Sequence, residues 1–198
     1  MTPRPDTLLL LSGGIDSAYC LWRRVKAGLP TRVHHVSLRD KCGRHPFEDA
    51  AAHNIVKYLE ANGGRGLIHY TESVTDFGGL RYVPRNHHLW AYWTGAILSF
   101  EPHLKRVVKA THVDAFRHGP NTPAVANVNR TYDAGIKAVA GRVPVWVYPM
   151  AHMLKAEVIQ AMPPELLELC WFCRVPADGG VPCGTCYTCT LVLPALTP

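Results

Sequence analysis

Several features that mark whole classes of protein are missing from this 198-residue sequence. No apolar run approaches the ~20 residues that a bilayer-spanning helix needs, and the leucines at residues 8–11 are too few for an export signal. There is no internal repeat, no low-complexity tract and no run of five basic residues. We therefore expect a globular cytoplasmic protein without a membrane segment. The lack of a dense basic patch also argues against a nucleic-acid partner.

A glycine turn directly follows residues 8–11, which are typical of a buried strand. The turn is residues 12–17, Ser-Gly-Gly-Ile-Asp-Ser, and a helical pattern of apolar residues begins at once. Such a turn presents backbone N–H groups and the positive end of a helix dipole to an anion. The hydroxyls of Ser12 and Ser17 add two donors, so we expect phosphate or pyrophosphate there. The alternative is an ordinary glycine turn capped by serine.

The hexapeptide resembles the PP-loop signature Ser-Gly-Gly-x-Asp-Ser of the N-type ATP pyrophosphatases, and it lacks the spacings of Walker and dinucleotide-binding loops. Those enzymes cleave ATP between the α and β phosphates, adenylate a substrate oxygen and release pyrophosphate. The net charge of +6 fits a polyanionic ligand such as ATP. The resemblance predicts that the nucleotide is bound by Leu11, Ser12, Gly13, Gly14, Asp16 and Ser17.

Strand and helix signals alternate along the sequence. The predicted strands are residues 7–11, 32–38, 66–70, 106–110 and 143–147. The predicted helices are residues 16–27, 47–61, 86–100, part of 121–139, and 153–161. This alternation indicates an α/β, Rossmann-like fold, a five-stranded parallel sheet with helices on both faces. Ligands of such sheets lie beyond the carboxyl ends of the strands. An aromatic run at helical spacing is interpreted as core: Trp90, Tyr92 and Trp93.

Seven cysteines in a chain expected to be cytoplasmic point away from disulfides, and five of them lie after residue 169. Cys183, Cys186 and Cys189 form a Cys-x-x-Cys-x-x-Cys pattern that suits one metal ion. Tetrahedral Zn²⁺ needs a fourth ligand, for which we choose Cys173 over Cys170, and an iron–sulfur cluster is the competing interpretation. The predicted organisation is a PP-loop ATP pyrophosphatase domain over residues 1–165 and a four-cysteine zinc-binding segment over 166–198.

Together, the PP-loop and the cysteine pattern resemble the 7-cyano-7-deazaguanine synthase (QueC) family. Three short segments are similar to motifs of the family: residues 43–48 (Gly-Arg-His-Pro-Phe-Glu), 83–86 (Val-Pro-Arg-Asn) and 155–157 (Lys-Ala-Glu). The first lacks the glutamine of the family's Gly-Gln-Arg-His-x-x-Glu. In the loop of residues 111–121, Asp114 keeps its place, but the Tyr-Pro-Asp-Cys-Arg of the family is absent. The resemblance implies a sheet of the adenine nucleotide alpha hydrolase type with a C-terminal zinc knuckle.

The resemblance also implies a reaction. ATP with Mg²⁺ would adenylate the carboxylate of 7-carboxy-7-deazaguanine or a related deazapurine acid, and ammonia would attack the acyl-adenylate. A second ATP-dependent activation would then give the nitrile. A variant associated with antiphage defence would instead pass the acyl group to an amine of a protein partner. The family resemblance further implies a homodimer.

Roles carried over from the resemblance fall on three groups of residues. The implied catalytic residues are Asp16, His45, Glu48 and Lys155. The nucleotide would also contact Arg85 and Asn86. The implied substrate-binding residues are His112, Asp114 and Arg117. At the start of a predicted helix, Lys155 places a cation against the helix dipole, which a bound phosphate would relieve.

Two functions of other kinds stay open. The chain could be a PP-loop enzyme that thiolates or amidates tRNA, which predicts tRNA binding that weakens with salt. It could also be a nucleotide-binding module that is stabilised by zinc and has no catalytic activity. This alternative predicts ATP binding without turnover of any acid.

Overall fold

The computed structural model describes residues 4–80, 87–115 and 123–196. Five parallel strands form one sheet in the order β3-β2-β1-β4-β5. The strands are β1 (Thr7–Leu10), β2 (Thr31–Arg39), β3 (Ile68–Asp76), β4 (Arg106–Val108) and β5 (Val145–Val147). The helices are α1 (Ile15–Lys26), α2 (His45–Leu59), α3 (His87–Phe100), α4 (Pro123–Ala140), α5 (Lys155–Ala161), α6 (Pro164–Glu168) and α7 (Tyr187–Leu196). The predicted Rossmann-like α/β fold is therefore confirmed.

The leucines of β1 divide the core into two parts because alternate side chains of a strand point to opposite faces of the sheet. Leu9 belongs to a buried cluster that includes Leu21 of α1 and Ile55 of α2. Leu8 belongs to a second cluster that includes Leu98 of α3 and Ile136 of α4. Helices therefore cover both faces of the sheet, as the alternation of strands and helices predicted.

The C-terminal segment packs on the face that α1 and α2 cover. Leu166 of α6 and Val192 of α7 are fully buried in the same cluster as Leu9. The division of the chain at residue 165 stays a prediction. Within the described ranges, no helix is long and apolar enough to cross a membrane.

Two details differ from the sequence-based expectations. The third strand was expected to end at Tyr70, but β3 continues to Asp76 and pairs with β2 along its length. Its last residues are mostly polar, and they suit an edge strand because one face of it is solvated. Tyr92 was expected in the core, yet it is 54% exposed, while Trp90 and Trp93 are half-buried.

Candidate active site

The PP-loop, residues 12–17, connects β1 to α1 and is held by its own hydroxyl groups. The Ser17 hydroxyl accepts the backbone N–H of Ser12 at 3.2 Å and lies 3.1 Å from the Ser12 hydroxyl. Ser17 also donates to the Gly14 carbonyl at 3.1 Å. Since β1 lies between β2 and β4, the loop sits where the order of strands reverses, which is the usual ligand position in such sheets.

Gly13 is the point of closest backbone approach in the loop. Its φ is +77°, and a Cβ atom at this position would lie 2.5 Å from the carbonyl oxygen of Glu48 in α2. Its own carbonyl accepts the backbone N–H of Trp171 at 2.9 Å. Only glycine meets both requirements, a positive φ and contact with neighbouring backbone. The PP-loop is thus clamped between α2 and the C-terminal segment.

We expect Gly13→Ala to destabilise the protein far more than Gly28→Ala does. Both glycines have positive φ, but nothing lies within 4 Å of a Cβ at Gly28, which has a φ of +66°. The control variant should cost about 1–2 kcal/mol of unfolding free energy from backbone strain alone. Chemical denaturation of the two variants measures the difference. Equal losses would contradict the close packing of Gly13.

A charged cluster surrounds the first turn of α1. The Lys155 ammonium lies 2.5 Å from Oδ1 of Asp16, and the Lys155 side chain is only 5% exposed. The backbone N–H of Lys155 donates to Oδ2 of Asp114 at 2.5 Å. Asp16 thus balances the cation that lies against the dipole of α5, and the Asp114 carboxylate caps that helix. The structure thus brings together Asp16, Asp114 and Lys155, which were all predicted from the sequence as site residues. Their roles remain proposals.

His112 lies in the same cluster, between the two carboxylates. Its Nε2 atom is 3.7 Å from Oδ2 of Asp16, and its Nδ1 atom is 3.6 Å from Oδ2 of Asp114. Burial lowers the pKa of His112, and this outweighs the opposite effect of the two carboxylates. The neutral imidazole is therefore favoured at neutral pH, which leaves one ring nitrogen able to accept a proton.

A polar cavity of about 150 Å³ opens on one side of the PP-loop. Its lining includes Asp16, Arg44, Glu48, Lys155, Trp171 and Arg174. The Arg44 guanidinium lies 3.7 Å from the Glu48 carboxylate. Burial raises the pKa of Glu48, although Arg44 acts in the opposite direction. The three cations of this cavity suit an anion such as the phosphates of a nucleotide.

The remaining predicted residues are not in the charged cluster around Asp16 or lie outside the described part of the chain. His45 is the first residue of α2 and is half-buried. Its Nδ1 atom is buried without a hydrogen-bond partner among the described residues. Arg85, Asn86 and Arg117 lie outside the described residues.

A second cavity beside the PP-loop has a volume of about 250 Å³ and an aromatic lining. Ser12, Asp16 and Ser17 form one part of its lining, and the rest includes Trp90, Lys109, Tyr132 and Trp146. The expectations from sequence did not include this cavity. The signal that could have pointed to it is a lysine directly after the apolar β4, since residues there reach the carboxyl edge of the sheet.

The four cysteines chosen from the sequence form one cluster. The sulfur atoms of Cys173, Cys183, Cys186 and Cys189 all lie within 4.8 Å of one another. The backbone N–H of Cys186 donates to the Cys183 sulfur at 3.3 Å, which favours a thiolate. Four thiolates at this spacing fit tetrahedral Zn²⁺. The cluster of Cys173, Cys183, Cys186 and Cys189 could therefore form a zinc knuckle. Cys170 lies outside it, and its thiol donates to the Leu166 carbonyl at 3.3 Å.

Short connections join this cysteine cluster to the PP-loop. Trp171, two residues before Cys173, donates its backbone N–H to Gly13 and stacks on Phe47 of α2 with ring centroids 4.6 Å apart. The hydroxyl of Tyr187, next to Cys186, donates to the Asp114 carbonyl at 2.8 Å. The fold of the cysteine cluster therefore helps to position both the loop and the helix cap.

A buried histidine also supports the PP-loop, and sequence reasoning missed it. Nδ1 of His35 lies 2.7 Å from the Leu11 carbonyl, and Nε2 lies 2.8 Å from Oδ1 of Asp49. The Ser37 hydroxyl donates to the other oxygen of Asp49 at 2.8 Å. This network fixes the residue that precedes Ser12. A histidine inside a buried strand gives no sequence signal that separates such a role from ordinary burial.

Comparisons with known proteins agree with this arrangement. No protein-family model matches the chain. It is 28% identical over 206 residues to 7-cyano-7-deazaguanine synthase 2 of Desulfitobacterium hafniense strain Y51, covering 94% of this chain and 86% of the relative. Identity to the 7-cyano-7-deazaguanine synthase of strain DSM 10664 / DCB-2 is 27%, with the same coverage.

Among solved structures, NMN synthetase from Francisella tularensis matches with a TM-score of 0.53 and 17% identity. The match covers 84% of this chain and 66% of that one, and it supports the fold alone. The sequence relatives, the parallel sheet and the cysteine cluster together support a PP-loop family like that of the 7-cyano-7-deazaguanine synthases, and they point to an ATP-using enzyme.

Proposed function

We propose that this protein adenylates the carboxylate of 7-carboxy-7-deazaguanine, or of a related deazapurine acid, and transfers the acyl group to an amine. The observation that carries the proposal is the PP-loop with the Asp16–Lys155 pair at its helix, in a chain similar along 94% of its length to the named synthases. A carboxylate is a poor electrophile, and attachment of AMP gives it a good leaving group.

The reaction has two steps. A carboxylate oxygen attacks the α-phosphorus of ATP, and the bond from that phosphorus to the oxygen bridging to the β-phosphate breaks, releasing pyrophosphate. The amine then attacks the acyl carbon, loses a proton, and AMP departs with the electrons of the acyl C–O bond. The products are an amide, AMP and pyrophosphate. Ammonia or an amine of a protein partner can serve as the acceptor.

The residues of the PP-loop cluster fit the first step. The backbone N–H groups of residues 12–17 and the Lys155 ammonium would hold the departing pyrophosphate and offset its growing charge. Asp16 is 30% exposed, and its carboxylate oxygens are of the type that Mg²⁺ prefers. Mg²⁺ bound there would neutralise phosphate charge. Neutral His112, 3.7 Å from Asp16, would accept a proton from the attacking amine.

Release of pyrophosphate is the first expected result. Protein mixed with ATP, Mg²⁺ and 7-carboxy-7-deazaguanine should release pyrophosphate and form AMP, and ammonia should increase turnover. Coupled phosphate detection measures the rate, and mass spectrometry identifies amide or nitrile. Omission of the acid is the control. No release with any deazapurine acid would overturn the proposal.

The outcome also separates the alternatives. ATP binding without turnover would favour a nucleotide-binding module. Tight, salt-sensitive binding of tRNA would favour a tRNA-modifying enzyme. A mass increase on a co-expressed partner, without free nitrile, would identify a protein amine as the acceptor.

A further inference from the structure

We propose that the aromatic cavity beside the PP-loop is the acid-binding site, with Lys109 holding the carboxylate and the surrounding rings holding the flat heterocycle. This inference rests on the proposed function and adds to it the residues that select the acid. Neither Lys109 nor the rings around it, Trp90, Tyr132 and Trp146, were among the site residues expected from the sequence.

The position of Lys109 is the first argument. It directly follows β4, and the cavity it lines is also lined by Ser12, Asp16 and Ser17 of the PP-loop. An acid bound against Lys109 would therefore have its carboxylate next to the loop that binds the phosphates. Such proximity of the reacting groups is what adenylation requires.

The surroundings of the ammonium are the second argument. It lies 5.1 Å from the ring centroid of Tyr132 and 5.2 Å from that of Trp146, and it donates to Oδ1 of Asn129. Within the described part of the chain, no carboxylate forms an ion pair with it, whereas Lys155 has Asp16. The Asp133 carboxylate acts on Lys109 without forming an ion pair, and it accepts from the indole of Trp146 at 2.8 Å.

Partial burial of this cation has a cost and lowers the pKa of Lys109, although the Asp133 carboxylate acts in the opposite direction. An anionic ligand removes that cost, and a charged hydrogen bond in a partly dry site is strong. Trp90, Tyr132 and Trp146 give the cavity an aromatic lining, which suits a planar heterocycle. A planar heteroaromatic acid is the ligand class that satisfies both features.

The adenine ring of ATP is the other planar group that could occupy this cavity. Adenine is neutral, so it leaves Lys109 without an anion. The polar cavity offers Arg44, Lys155 and Arg174, which suit the charged part of the nucleotide. The observations therefore favour the acid for the aromatic cavity.

The test compares Lys109→Met with Lys105→Met. The first variant keeps most of the side-chain volume and loses the charge. The control removes an exposed ammonium that donates to the Pro102 carbonyl. The KM for the acid in pyrophosphate release should rise about 10- to 100-fold in Lys109→Met, the loss expected for a charged hydrogen bond. The KM for ATP should stay unchanged in Lys109→Met. In Lys105→Met, the KM for the acid and the KM for ATP should both stay unchanged.

A direct titration keeps this test independent of turnover. Calorimetry with 7-carboxy-7-deazaguanine and its neutral 7-carboxamide should give wild-type protein about 10-fold tighter binding of the acid. Lys109→Met, or Lys109→Gln if that variant does not fold, should lose this preference. An unchanged preference would overturn the inference, as would a higher KM for ATP alone. A wild type that binds the acid through Lys109 but releases no pyrophosphate would refute only the proposed function.

Discussion

Lys155→Met should reduce the rate of acid-dependent pyrophosphate release by about 10²- to 10³-fold, as loss of one fixed electrostatic group does in other active sites. The physical reason is the position of the ammonium, which is buried and 2.5 Å from Asp16 beside the PP-loop. Pre-steady-state measurement of the first turnover gives the rate. Lys57→Met, on the exposed side of α2, is the matched control and should retain full activity.

A double variant tests whether the Asp16–Lys155 pair has more than a structural role. Lys155→Met leaves the Asp16 carboxylate without its cation, and Asp16→Asn removes that charge. If the pair serves only to hold the fold, Asp16→Asn/Lys155→Met should regain both stability and activity. We expect it to regain part of the stability lost and none of the activity. Recovery of the rate in the double variant would refute the catalytic role of Lys155.

Removal of the metal from the cysteine cluster should have the second large effect. Purified protein should contain one zinc per chain, and Cys183→Ser or a strong chelator should lower the melting temperature by about 10 °C or more. ATP binding should weaken as well, because Trp171 and Tyr187 connect this cluster to Gly13 and Asp114. Metal analysis, calorimetry and nucleotide titration measure these effects.

Cys170→Ala is the matched control for this experiment. Cys170 lies only three residues before Cys173, yet its thiol contacts the Leu166 carbonyl instead of the cluster. The variant should keep its zinc and its ATP affinity. Loss of zinc from Cys170→Ala, with retention in Cys173→Ala, would contradict the assignment of the fourth ligand. Iron and visible absorption in place of zinc would identify an iron–sulfur cluster.

The order of elements could be predicted from the sequence because strand signals alternate with helical patterns along the chain. The extension of β3 to Asp76 could not, since an edge strand solvated on one face need not be apolar. The exposure of Tyr92 was missed for a related reason. Helical spacing tells which residues share a face of α3, and tertiary packing decides how much of that face is covered.

Residues of the candidate site were easier to predict where one local sequence motif contains them. The PP-loop and the three clustered cysteines are such motifs. The ligand number of zinc called for a fourth thiol, but it did not distinguish Cys173 from Cys170. Lys109 and His35 belong to no motif. Their positions depend on which strand ends meet in space and on which backbone atoms face them, and a single sequence does not give that information.

The pairing of Asp16 with Lys155 also bears on when the protein becomes active during its synthesis. The two residues are 139 positions apart in the chain, and contacts of such separation form late because the intervening chain must first lose its freedom. A nascent chain exposes its PP-loop long before Lys155 and Trp171 emerge from the ribosome. Such a chain lacks the two residues that contact Asp16 and Gly13 in the folded protein. Under the proposed function, cleavage of ATP would therefore begin only once the chain is complete.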